Sequence, residues 1–85
     1  MPKRRWPEWW EWELEFHPHL YKRMSDREFT EVDLRRMLEH ASGYRRDIVA
    51  GRWVVLARHR RRRWQVIVEP DVAAQLLVIV TAYPE

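Results

Sequence analysis

From Trp10 to Phe16 apolar and acidic side chains alternate without a break. Trp10, Trp12, Leu14 and Phe16 fall on one side, Glu11, Glu13 and Glu15 on the other. A period of two places successive side chains on opposite faces of an extended chain, which no helix can do. The stretch therefore reads as a half-buried antiparallel strand, and its apolar face demands a sheet and a covering layer. Eighty-five residues leave room for one such core. Residues 10–85 are expected to form that single domain, behind a Trp-rich basic tail over residues 1–9 that packs only partly.

Two helices are predicted next. His17-Pro18 ends the strand and opens a helix, because proline is pre-set for the first helical position. Leu20, Tyr21 and Met24 recur at helical spacing up to about Arg27. Thr30 is a natural N-cap with Asp33 at the N3 position, and Phe29 and Leu34 occupy the two ends of a hydrophobic staple. Leu34, Met37, Leu38 and Ala41 form the buried stripe of this second helix, and Gly43 is expected to stop it. Strand signals fill the remainder. Tyr44–Val49 meets Arg52–His59 through Ala50-Gly51, and Arg60-Arg61-Arg62 leads into Arg63–Glu69. Pro70-Asp71 begins a loop before Leu76–Tyr83. Both faces of that last stretch are apolar, which predicts a central strand covered on both sides. The order β-α-α-β-β-β-β predicts an α+β fold, two short helices packed on an antiparallel sheet of four to five strands.

Charge is unevenly placed. The net charge is only +3, yet residues 35–63 hold ten arginines against Glu39 and Asp47. A basic block within a balanced chain is a footprint for an anionic partner, although a GC-rich coding sequence also favours arginine. Fourteen of the sixteen basic residues are Arg, whose planar fork grips phosphate in a bidentate way. The chain has no cysteine, which excludes a disulfide scaffold and a thiolate metal site and fits a reducing cytoplasm. Its longest apolar run, Leu76 to Val80, is too short to span a bilayer, so no membrane partner is expected. The basic start is followed by acid-studded Trp residues and does not read as a secretory signal.

His19-Leu20-Tyr21-Lys22-Arg23-Met24 with Arg27, then Phe29-Thr30-Glu31-Val32-Asp33, resembles the opening H-A-x-x-R-M-x-x-R-x-[IF]-[ST]-x-x-[DE] of a small bacterial domain-of-unknown-function family. Gly51-Arg52-Trp53-Val54-Val55 and Leu77-Val78-Ile79-Val80-Thr81-Ala82-Tyr83 resemble strands of the same family. That family is similar in layout to the RelE/ParE and BrnT-like toxins. The resemblance implies a metal-independent endoribonuclease of a toxin–antitoxin pair, with RNA as substrate and a cognate antitoxin protein as partner. Fold alone does not settle function, so a non-catalytic protein- or nucleic-acid-binding module stays open beside it.

Metal chemistry has little support in the spacing, because His17, His19, His40 and His59 form no ligand pair on one helix face. No cofactor is implied, and neither Ser25 nor Ser42 lies in a nucleophile-elbow setting. Metal-free RNA cleavage needs a base for the 2′-hydroxyl, a cation for the phosphate and an acid for the leaving oxygen. His19 and Arg23, one helical turn apart, with Arg58, His59 and Tyr83, are the candidates for these catalytic roles. Arg45, Arg46, Arg60, Arg61, Arg62 and Arg63 are the candidate nucleic-acid contacts. Each has a plainer reading: His19 packs at a helix start, Arg23 pairs with Asp26 or Asp33, Tyr83 is an edge-of-core aromatic, and the arginine run solubilises a hairpin tip. Trp10 and Trp12 read as core, whereas Trp6 and Trp9 read as surplus apolar surface suited to a homodimer or antitoxin contact.

Overall fold

A computed structural model of the chain describes residues 6–85. A 3₁₀ turn over Glu8–Glu11 leads into β1 (Glu13–Phe16), α1 (Pro18–Asp26) and α2 (Glu31–Glu39). There follow β2 (Gly43–Arg46), β3 (Trp53–His59), β4 (Arg62–Asp71) and β5 (Leu76–Pro84). The fold is α+β, with the five strands in the order β1-β5-β4-β3-β2.

The sheet is mixed rather than antiparallel throughout. β1 runs parallel to β5, with Leu14 beside Leu77 and Phe16 beside Ile79, while every other pair is antiparallel. A parallel neighbour needs a long connection, and the chain between β1 and β5 supplies one. The alternation from Trp10 is only partly strand, because Pro7 precedes a 3₁₀ turn that takes up Trp9 and Trp10. Trp10, Trp12, Leu14 and Phe16 nevertheless all pack against the core, as the pattern requires.

Local chemistry accounts for the helices. Pro18 opens α1, and the His17 side chain, as N-cap, accepts from the His19 amide at 3.1 Å. In α2 the capping box closes in both directions: the Asp33 amide donates to Thr30 Oγ1 at 3.1 Å, and the Thr30 amide donates to Asp33 Oδ2 at 2.9 Å. The helix ends at Glu39 rather than at the glycine. Gly43 instead opens β2, where it is buried beside Leu56.

One face of the sheet carries the core. Val55, Ala57, Trp64, Val66, Val68, Leu77, Ile79 and Ala82 meet Leu20, Phe29, Leu34, Met37 and Leu38 from the helix side. Each of the fully buried aliphatics among them contributes about 1.5–3 kcal/mol. β5 is internal, as expected, but only its helix-facing side is covered. Among the described residues no helix covers the other side of the sheet, which has Val54 and Ile67 at its centre, and these two residues stand apart from the main core cluster.

The assignment of the tryptophans is corrected. Trp9, expected at the surface, is 9% exposed and packs edge-on to Trp10 and Tyr44. Trp6 stacks on Trp10 at 4.3 Å between ring centres, and Trp10 and Trp12 are only half-buried. The 3₁₀ turn explains this, since it redirects Trp9 inward before the strand begins. Residues from Trp6 onward thus lie on the domain, while residues 1–5 of the proposed tail lie outside the described residues.

A register shift on β5, opposite Ile67 and Val68, coincides with the end of β1. Beyond it β5 would present a free edge. Arg27, at the C-cap of α1, fills that place by donating to the Ala82 carbonyl at 2.9 Å and to Thr81 Oγ1 at 3.3 Å. A side chain satisfying an edge carbonyl protects the edge from pairing with another chain.

Candidate nucleic-acid interface

β3 and β4 are joined by a two-residue turn, because His59 pairs directly with Arg62. Both turn residues, Arg60 and Arg61, have positive φ, +52° and +65°. Such a turn matches the right-handed twist of the strands, but it ordinarily takes Asn-Gly. Two side chains with Cβ atoms are strained there, at roughly 1–2 kcal/mol per residue. The strain sits at the tip of the arginine run; Glu28 and Gln75 hold similar positive φ, but only here among the described residues do two such residues adjoin.

Beneath that tip lies a groove of 350 Å³ between α2 and the end of β3. It is lined by Asp33, Arg36, Met37, His40, Arg58, His59 and Arg60. The four α2 residues recur at i, i+3, i+4 and i+7 and so share one helix face. Arg36, Arg60 and two histidines stand against one carboxylate, while Arg58 borders the groove from a strand position facing the other side of the sheet. Among the described residues the His59 Nε2 atom is the one buried side-chain polar atom without a hydrogen-bond partner. Its ring meets Trp64 edge-on at 5.4 Å, and Nε2 stands 4.0 Å from Asp33 Oδ2, beyond hydrogen-bond reach. Asp33 is held below the usual carboxylate range, chiefly by the Thr30 amide it accepts from, and further by the Thr30 hydroxyl, His59 and Arg60 against a desolvation penalty. The charged carboxylate lies near enough to His59 and Arg60 to offset part of their mutual repulsion. A second recess of 170 Å³ on the other side of His59 is bounded by Arg27, Glu28, Arg60, Arg62 and Trp64.

The sequence-derived candidates divide. His59 and Arg60 share the groove, which Arg58 borders from a strand position facing the other side of the sheet; Arg61 is at the turn, and Arg62 is in the adjoining recess and donates to the Glu85 carbonyl at 3.4 Å. His19 is exposed in the first turn of α1, and Arg23 pairs with Asp26 at 3.5 Å; neither lines the groove. Tyr83 donates its hydroxyl proton to Gln65 Oε1 at 2.9 Å, with the Arg27 guanidinium 5.9 Å from its ring centre. Arg46 lies over Trp53 at 5.0 Å, and alternation from the core places Arg45, Arg58 and Arg63 on the opposite side of the sheet, where Arg58 and Arg63 are register partners. Arg36 and His40 were not singled out from the sequence. Their signal is the spacing Asp33, Arg36 and His40, polar residues at i, i+3 and i+7 that flank the buried Met37. No three His, Asp or Glu side chains among the described residues are arranged to hold a metal ion. No helix among them is long and apolar enough to cross a membrane.

Comparison with models of protein families, with curated proteins and with solved structures finds no match to this chain.

Proposed function

We propose that the protein binds RNA through its phosphate backbone, along the groove between α2 and the β3–β4 hairpin. The observation that carries this reading is the junction of two features at one place. The arginine-bearing turn is built at a cost in backbone strain, and the unpaired His59 Nε2 lies at the floor of the groove beneath it. A phosphate oxygen accepts hydrogen bonds from His and Arg alike, and its charge suits the excess of cations. Filter binding of a single-stranded oligoribonucleotide tests this. Affinity should fall steeply with salt, because each phosphate neutralised releases counterion. Replacing Arg36 and Arg60 with Gln should weaken binding and flatten the salt slope. A slope unchanged by that double substitution defeats the reading.

A second reading rests on the same groove. His59 beside Asp33, with Arg36 and Arg60 in the same groove, offers a base, a carboxylate near it and phosphate-binding cations. This favours a metal-independent endoribonuclease of the toxin type, neutralised by a cognate antitoxin. Growth arrest on induced expression, abolished in a folded His59→Ala variant, supports cleavage. Harmless expression with no cleavage of bulk RNA leaves binding as the function.

A further inference from the structure

The uncovered side of the sheet carries a charge pattern that the groove does not use. Register and alternation place Glu13, Glu15, Glu69 and Asp71 at one corner, on β1 and the adjoining end of β4, where Glu69 pairs with Arg52 at 3.1 Å. Arg45, Arg58 and Arg63 lie toward the other margin, on β2 and the hairpin ends of β3 and β4, with the Glu85 carboxylate beside Gln65 there. Between them run Val54, Leu56, Ile67, Leu76, Val78 and Val80. Val54 and Ile67 are 1% and 6% exposed, while the other four remain half-buried. An antiparallel sheet ordinarily shows solvent a polar face, and this one is apolar through the middle.

We propose that this face is the interface of an isologous homodimer, two sheets packed face to face. A two-fold axis lying in the plane of the face turns one copy over onto the other. It can thereby lay the acidic corner of each copy over the arginine margin of its partner, so the surface is complementary to itself. Five strands of four to ten residues, about 4.8 Å apart and rising about 3.3 Å per residue, give roughly 550 Å² per copy. Both copies together bury about 1,100 Å², just below the range of standard specific interfaces. A face of that size makes a weak dimer, whose affinity area alone does not set. The groove under the hairpin lies on the helix side of each copy and stays open.

Sedimentation equilibrium of the full chain tests the proposal. The wild type should dimerise below about 0.5 mM, and Leu56→Lys with Val78→Lys should be monomeric, with an unchanged circular dichroism spectrum showing that it folds. Two charge reversals supply an independent arm. Glu13→Arg with Glu15→Arg, and Arg45→Glu with Arg63→Glu, should each self-associate at least about ten-fold more weakly than wild type. An equimolar mixture of the two should regain association as a heterodimer. A wild type that stays monomeric up to about 0.5 mM overturns the proposal. So does a dimer indifferent to the Leu56 and Val78 substitutions, or a mixture that associates no better than its components.

Discussion

Replacing Arg60-Arg61 with Asn-Gly separates the cost of the hairpin turn from its use. Both residues are held at positive φ, +52° and +65°. Asparagine tolerates the left-handed region and glycine occupies it freely, so the folded state is relieved of roughly 1–2 kcal/mol at each position at most. Glycine returns about 0.5–1 kcal/mol by loosening the unfolded chain, and asparagine relieves only part of the strain. The net expectation is a gain of about 1–2 kcal/mol, which in a domain of this size raises the midpoint of thermal unfolding by roughly 4–10 °C. Circular dichroism melts of the two proteins read it directly. The same variant loses two cations at the rim of the groove. Its RNA affinity should fall, and the slope of log K against log salt should shrink by about 0.7 for each lost phosphate contact. A variant no more stable than wild type shows that the turn stores no strain. One more stable but equally good at binding RNA shows that the hairpin tip is not part of the interface.

Three further expectations concern the scaffold. Trp9→Ala should cost about 3 kcal/mol, since it empties a site buried against Trp10, Tyr44 and Trp53; a urea midpoint unchanged from wild type would restore Trp9 to the surface. Arg27→Met removes both hydrogen bonds to the edge of β5 and should cost about 1–2 kcal/mol while promoting concentration-dependent aggregation by light scattering; an equally stable and soluble variant dismisses the edge-capping role. Asp33 has a folded pKa below its unfolded value, so its stabilisation is complete above an unfolded pKa of about 4 and fades as pH falls through the folded one. Unfolding titrations should therefore show Asp33→Asn weaker than wild type at pH 6, with the gap closing as the pH drops below about 4; a gap constant across that range contradicts the assignment.

The elements were legible where neighbours in sequence decide them. Thr30, Asp33, Phe29 and Leu34 announce α2 by local bonds, and both the capping box and the burial of Phe29 and Leu34 are present. Pro18 marks the start of α1 for the same reason. Partners distant in sequence were not legible. Leu14 and Phe16 show that β1 has an apolar face, but nothing in them says that it lies beside β5 and parallel to it. The tryptophans misled because period two was extended through residues that turn. Pro7 and the 3₁₀ geometry after it exchange the burial of Trp9 and Trp10. The candidate groove was half visible. His59 and the arginines stood out by type, whereas Arg36 and His40 matter only because α2 crosses the end of β3. His19 and Arg23 share a face of α1, as their spacing says, but that face does not adjoin the groove.

The most direct measurement is a ¹⁵N–¹H chemical-shift titration of the full chain with a single-stranded oligoribonucleotide of about ten nucleotides, at low salt. Shifts concentrated on Asp33, Arg36, His40 and Arg58–Arg62, including the His59 ring signals, and reversed by added salt, are the expected result. Shifts that avoid these residues, or an unchanged spectrum at saturating RNA, would contradict RNA binding in the groove.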